Sequence, residues 1–264
     1  MNIFVIHGSM RKGTTYKLTK GIMSRLSSKP NVAFDEIGIS ELNLPFCTSC
    51  HVCFAKGEEY CPNYKHLERV HHALEVCDGI VLTGTTYMWA LNAAMKNLLD
   101  HLAYGFHRPS LFGKKGMVIA TSKGNGEKAV SKYLKTVLGQ WGVNGAVVVT
   151  QNAKEEKMLS PSKISAKLDR KADTFYHQIA SGGYIEPSLR SIAVHNAFRS
   201  MALSNFAEFE RDTQHWQQDG FHDKAYPVRA GMLKYVVGSV IFAISTLMIK
   251  LLGRIFTNNM GAQE

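Results

Sequence analysis

The sequence predicts an α/β fold, a doubly wound parallel sheet covered by helices and followed by an α-helical C-terminal extension. Three observations carry this expectation. Five short apolar runs alternate with helical stretches over residues 1–150, the pattern of strands joined by crossover helices. Several of these runs are apolar almost without interruption, as strands buried on both faces must be. Small, hydroxyl-rich loops follow three of the strands, at the sheet edge where open α/β folds bind ligands.

The strands are expected at 3–7, 32–37, 79–84, 117–121 and 146–150, and the helices between them at 15–26, 66–76, 90–104 and 127–140. A last helix on the sheet is expected over 155–182, with Pro161 after Ser160 in its first turn and Ser181-Gly182-Gly183 at its end. Past Pro187 the strand signals stop. Residues 189–211 have helical periodicity, Ala225-Tyr226-Pro227 interrupts it, and an apolar helix follows. This places one domain at 1–185, with a cysteine-rich insert at 45–63, and a helical extension at 186–264.

Composition narrows the function classes. With 264 residues, 45% hydrophobic and 20% charged, and 22 glycines and 7 prolines, the chain is neither fibrous nor disordered and can bury a full core. The 31 basic against 21 acidic residues give a net charge of +10. No run of five Lys/Arg and no recognition motif accompanies that charge, so no nucleic-acid partner is expected. Residues 1–7 look like a strand rather than a targeting segment, which makes the cytoplasm the expected location. Near the other end, residues 235–249 carry no charge; they lie between Arg229 and Lys234 on one side and Lys250 and Arg254 on the other, and Leu251, Leu252, Ile255 and Phe256 extend the apolar character. That is short of the ~20 residues of a membrane span. Three readings stand: a core or oligomer-interface helix, a peripheral contact of 230–256 with anionic lipid, and a true span.

The chemistry lies in the loops. After the first strand comes His7-Gly8-Ser9-Met10-Arg11-Lys12-Gly13-Thr14-Thr15-Tyr16. A helix N-terminus offers unpaired N–H groups and a positive dipole end, so Ser9, Arg11, Thr14, Thr15 and Tyr16 are candidates for holding a phosphate. The spacing matches neither GxxxxGK[ST] nor GxGxxG, and an ordinary capped turn remains the alternative. After the third strand, Thr85, Thr86, Tyr87, Met88, Trp89 and Asn92 suit the flank of a planar ring, unless the aromatics simply pack. Thr121, Ser122 and Gly124 belong to a flexible loop after the fourth strand, able to close over a ligand.

Over residues 1–180 these features resemble the flavodoxin-like family of NAD(P)H-dependent FMN reductases. The phosphate loop is similar in Gly8-Ser9-Met10-Arg11 followed by Thr14-Thr15, and the ring loop in Thr85-Thr86-Tyr87-Met88-Trp89 followed by Lys96 and Asp100. The family's serine–proline is replaced here by Thr85-Thr86, and the arginine after the aspartate by His101. The resemblance implies a five-stranded parallel sheet of order 2-1-3-4-5 and FMN held by residues 9–16 at its phosphate and by 85–89 and 121–124 around its ring. It also implies NAD(P)H as co-substrate and a homodimer or homotetramer.

Four of the five cysteines fall within residues 47–61 as C-x2-C-x2-C-x7-C: Cys47, Cys50, Cys53 and Cys61. Such clustering is unlike a secreted disulfide framework. Short gaps let one loop wrap several thiolates around a centre, so an iron–sulfur cluster, a zinc site and redox-active or buried thiols are all open. The run resembles that of iron–sulfur flavoproteins, a branch of the same family, and this resemblance implies a [4Fe-4S] cluster on the four cysteines. Cys77 is expected to be a buried small side chain. His101 and His107 are candidates for shaping a substrate pocket, and Trp216, with Asp212, Asp219, Gly220 and Tyr226, for packing or for reaching a partner subunit. The expected function is an FMN-dependent oxidoreductase exchanging electrons with a small molecule or a protein. The rivals are a cluster-free NAD(P)H:quinone or FMN reductase and a non-catalytic electron carrier or redox sensor.

Overall fold

The structure is a computed structural model that describes residues 1–204, 209–218, 226–227 and 230–260, with side chains to residue 251. Asp219, Gly220, Ala225 and Arg229, and the side chains of Leu252, Arg254, Ile255 and Phe256, lie outside the described residues. Six strands occur in order among those described: β1 (Asn2–His7), β2 (Ala33–Gly38), β3 (Gly79–Tyr87), β4 (Ala90–Leu91), β5 (Lys115–Ser122) and β6 (Val147–Asn152). The α-helices are α1 (Thr14–Ser27), α2 (Val52–Ala55), α3 (Tyr64–Val76), α4 (Ala93–His101), α5 (Tyr104–His107), α6 (Glu127–Gln140), α7 (Ala153–Met158), α8 (Pro161–Ala180), α9 (Leu189–Leu203), α10 (Glu210–Trp216) and α11 (Met232–Met260). They form two compact units, one of residues 1–48, 62–103 and 111–185, the other of residues 49–61, 104–110 and 186–264.

The first unit is built on a sheet of order β2-β1-β3-β5-β6. All of these neighbours are parallel, and β4 pairs antiparallel with β3. With that short strand set aside, the order is the expected 2-1-3-4-5. Alternate residues of each strand point to opposite faces. One set, Ile3, Val5, Val81, Met117, Ile119, Val147 and Val149, packs on α1 and α8. The helices answer with apolar stripes at helical spacing: Leu18, Ile22, Met23 and Leu26 from α1, and Leu168, Ala172, Phe175 and Ile179 from α8. On the opposite face, a Cβ at Gly84 or Gly116 would crowd Val130, Leu134 or Leu138 of α6.

Two expected helices are divided. The proline at 161 forces Ser160 into an extended conformation (φ −64°, ψ 149°), so the stretch over 155–182 becomes α7 and α8. Ser160 then caps α8 by accepting from the Lys163 N–H. The helix expected over 90–104 begins later, because β3 runs on to Tyr87 and turns back into β4. The two turn residues, Met88 (φ 46°) and Trp89 (φ 64°), are both left-handed, the signature of a two-residue hairpin turn that normally favours Asn-Gly.

The second unit gathers α2, α5, α9, α10 and α11. Trp216 and Tyr226 enclose the His195 ring at 4.7 Å each, and the Trp216 indole donates to the His107 carbonyl at 2.8 Å. Burial, reinforced by Arg199, pushes His195 down to about 3, so it is neutral at physiological pH. Trp216 is therefore a core side chain. The helical stretch expected over 189–211 is α9, which ends at Leu203, and the start of α10, with residues 205–208 outside the described residues.

Phe175 is fully buried between α8 and the sheet. Phe175→Ala is expected to lower the unfolding free energy by about 3–5 kcal/mol, read from urea denaturation.

Candidate functional site

The parallel register aligns the carboxyl ends of the strands, with His7 beside Gly38 and Thr85 beside Thr121. A cavity of about 1060 Å³ opens at this edge of the first unit. Of the residues singled out from sequence, Ser9, Arg11, Thr14, Thr15, Thr85, Thr86, Tyr87, Met88, Asn92, Thr121 and Ser122 line it. Tyr16, Trp89 and Gly124 do not. Tyr16 instead lies 4.8 Å from the His7 ring, and Trp89 is exposed at the hairpin tip.

One side of the cavity is suited to an anion. α1 starts after Gly13 with no side-chain cap and no acidic residue in its first turn, so its first N–H groups are open to a ligand. Behind them runs a chain of four hydroxyls: Ser9 and Thr85 are 2.5 Å apart, Thr85 and Thr15 2.8 Å, Thr15 and Thr121 2.6 Å. Each joins two segments at the strand ends, so the chain after β1 and the ends of β3 and β5 are fastened to one another. Two further lining residues carry hydrogen-bonding atoms without protein partners among the described residues. Thr86 Oγ1 and Asn92 Oδ1 are buried and have no hydrogen-bond partner among the described residues, a costly condition unless a ligand or water satisfies them.

Sequence reasoning missed the wall supplied by Ile39, Ser40, Asn43, Leu44 and Phe46. These follow β2, and the rule that ligands sit beyond strand carboxyl ends points to that loop as well. Asn97 holds it in place: its amide donates to the Leu44 and Pro45 carbonyls at 3.2 and 2.9 Å, and its oxygen accepts from the Cys47 N–H at 3.0 Å. His101 donates from Nε2 to the same Pro45 carbonyl at 3.0 Å. Lys96 and Asp100 form a half-exposed ion pair one helical turn apart, a contact of ~0–1 kcal/mol.

Two carboxylates near the strand ends are held by hydrogen bonds. Burial acts to raise Glu36, but the hydrogen bonds from His7 and Lys20 outweigh it and hold the group below its ordinary value. Glu127 has the same balance: burial raises it, while Ser122 at 2.6 Å and Asn152 at 2.9 Å lower it further. Glu127 thereby orients the Ser122 hydroxyl at the cavity wall.

The cysteines are placed differently. Cys47 belongs to the first unit, and Cys50, Cys53 and Cys61 to the second. Cys50 is exposed, Cys47, Cys53 and Cys61 are half-buried, and Cys77 is buried, with burial pushing its thiol up to about 11. Ser49 (φ 53°) and His51 (φ 59°) are left-handed on either side of Cys50. Among the described residues, no three His, Cys, Asp or Glu side chains are gathered as a metal-ligand set. Within the second unit the loop is held by Arg108, a buried side chain that donates to the Cys53 carbonyl at 2.9 Å, to Glu58 at 2.7 Å and to Asp212. His107 stacks on Phe54 at 4.3 Å and pairs through Nδ1 with Asp212 at 2.7 Å. His107 is thus part of this network.

Residues 1–155 match the NADPH-dependent FMN reductase family. The chain belongs to that family. Members are flavin oxidoreductases, and the hydroxyl-lined edge lies within the matched residues. An iron–sulfur flavoprotein of Archaeoglobus fulgidus is 26% identical over 225 residues, covering 82% of this chain and 97% of the relative. One of Clostridioides difficile is 24% identical over 228 residues, covering 83% and 99%. Among solved structures, an NADH:FMN oxidoreductase in its apo form superposes with a TM-score of 0.51 at 21% identity, covering 68% of this chain and 89% of that one. The flavoenzyme NAD(P)H:(acceptor) oxidoreductase of Paracoccus denitrificans gives 0.51 at 20% identity, covering 69% and 98%. These two structures share the fold.

Two outcomes test the rim. A folded pKa below the unfolded one means that Glu127 contributes fully above its unfolded value near 4.5, and that the contribution is lost as pH falls through the folded value. Urea midpoints between neutral pH and about pH 3 should therefore decline less steeply in Glu127→Gln than in the parent. Replacing Met88-Trp89 by Asn-Gly relieves two left-handed residues and should raise the unfolding free energy by roughly 1–2 kcal/mol, seen as a higher melting temperature.

Proposed function

We propose that the chain is an FMN-dependent oxidoreductase that passes electrons from NAD(P)H or a protein donor to a small-molecule or protein acceptor. One observation carries the reading: a single cavity is lined both by an uncapped helix N-terminus and by Thr86 and Asn92, each with a buried polar atom that has no hydrogen-bond partner among the described residues. A phosphate-bearing ligand with a planar, heteroatom-rich ring satisfies both, so the residues present fit FMN. The N–H groups at the start of α1, the Ser9 hydroxyl and the Arg11 guanidinium would hold the phosphate. Thr86 Oγ1 and Asn92 Oδ1 would pair with the ring's polar edge, while Leu44, Phe46 and Met88 exclude water beside it. Bound FMN supplies two-electron chemistry that can also proceed one electron at a time.

The four cysteines supply the finer part of the reading. Their C-x2-C-x2-C-x7-C spacing and the names of the two curated relatives support a [4Fe-4S] cluster on Cys47, Cys50, Cys53 and Cys61. The donor chemistry fits such a cluster; the exposure of Cys50 supports a second reading, a cluster-free NAD(P)H:quinone or FMN reductase with redox-active thiols.

Anaerobic purification with assay of flavin, iron and acid-labile sulfide separates the two. Flavin with about four iron and four sulfide per chain supports the cluster, and their loss in Cys53→Ser assigns it to the loop. Flavin without either supports the second reading. Thr15→Val removes the hydroxyl that links Thr85 to Thr121 and is expected to weaken FMN binding by about tenfold, roughly 1.4 kcal/mol. A chain that binds no FMN on titration overturns the proposal.

A further inference from the structure

We infer that α11 lies in the plane of an anionic lipid bilayer, with one face on α9 and the other in the headgroup–acyl boundary. This goes beyond the flavin chemistry and rests on the second unit alone. Of residues 232–251, only Gly238 is buried. Leu233, Val236, Val240, Ile244, Leu247 and Leu251 recur every three or four residues, which places them along one side of the helix, and all six are exposed. Met232 and Met248 widen the stripe.

The opposite side is occupied by α9. Arg199 lies 4.2 Å over the Phe242 ring, and the Ser200 and Thr246 hydroxyls are 2.9 Å apart. At the start of the helix Lys234 meets Glu186 at 3.0 Å and donates to the Pro187 carbonyl. Residue 234 near 187 and 246 near 200 mean that the two helices run side by side in the same direction. A helix apolar on every side belongs in a nonpolar environment. Among the described residues protein covers one side only, so the exposed stripe requires a second apolar surface.

Charge selects lipid as that surface. Between Asp223 and Glu264 there is no acidic residue, and Lys224, Arg229, Lys234, Lys250 and Arg254 all fall there. Lys250 is exposed beside the stripe, positioned to extend its amine toward phosphate. A second copy of the chain would set these cations against their own kind, and the eight exposed apolar side chains fall far short of the ~20–30 residues a side of a standard interface. Insertion across the bilayer would carry the buried Arg199 into hydrocarbon with its neighbour. An in-plane helix keeps α9 and its cations on the protein side.

The test is flotation of the full-length protein with vesicles of phosphatidylcholine alone and of phosphatidylcholine containing one third phosphatidylglycerol. The protein should float with the anionic vesicles and much less with neutral ones, lose binding as salt is raised, and be released by alkaline carbonate. Ile244→Glu and, separately, Leu247→Glu should each reduce the bound fraction roughly tenfold while leaving the far-ultraviolet circular dichroism and urea midpoint unchanged. Failure to float with either vesicle overturns the inference. So does retention after carbonate, which means a span, or a dimer that Ile244→Glu dissociates without any vesicle binding, which means a second copy.

Discussion

A Cβ at position 8 would lie 2.0 Å from the Thr83 carbonyl oxygen and 3.1 Å from the Met95 side chain, so the chain leaves β1 against the backbone of β3 with no room for any side chain. The Gly8 N–H uses that proximity to donate to the Thr83 hydroxyl at 2.8 Å. This close approach brings Ser9 to Thr85 and sets the start of α1 beside the ends of β3 and β5, where Thr15 can reach both Thr85 and Thr121. The uncapped start of α1 and the loops after β3 and β5 are therefore positioned by one backbone contact and a short chain of hydroxyls. A bulkier residue at position 8 would push the chain leaving β1 away from β3 and so strain the hydroxyl contacts that follow it.

The same edge holds structure that is unfavourable for stability alone. Two left-handed residues at the hairpin tip cost of order 1–3 kcal/mol each, and the side chains carried there, Met88 and Trp89, are largely exposed. Thr86 Oγ1 and Asn92 Oδ1 add unsatisfied buried atoms nearby. The two unmet hydrogen bonds are a cost that a ligand or water at this edge would reduce, whereas the backbone strain is sustained by the β3–β4 pairing. The Glu127 carboxylate is held to Ser122 and Asn152 next to this hairpin, since a Cβ at Gly126 would lie 2.7 Å from the Thr86 methyl group.

What the sequence made legible follows from how local the governing interactions are. The strands announced themselves because uninterrupted apolar runs have few other uses, and the loop after the first strand because a small-residue turn into a helix is a contiguous motif. The hairpin at 88–89 was hidden because Met-Trp is a poor turn sequence; the favourable β3–β4 pairing overrides local preference there. Ser160 and Pro161 did mark a boundary, yet the helical character of residues 153–158 lay just upstream and masked the break. The wall at residues 39–46 depends on Asn97, some fifty residues distant, and no pattern within either segment reveals that link.

The second unit depends on still less local physics. Arg108 joins Cys53 and Glu58 to Asp212 across separations of 55, 50 and 104 residues, and none of the three segments carries a signal for the others. A buried arginine facing two carboxylates gains little net stability over an apolar replacement, but removing one partner leaves an uncompensated charge and costs ~3–5 kcal/mol. Its consequence is specificity: the loop bearing Cys50 and Cys53 is ordered in one arrangement, set by charge rather than by packing volume. Ser49 and His51 hold left-handed backbone in that loop, so the ion-pair network must also offset their strain. Whatever centre the thiols serve, the C-terminal segment takes part in shaping it, because Asp212 closes the network from α10. The residues beyond 186 are in this sense part of the cysteine loop's own scaffold.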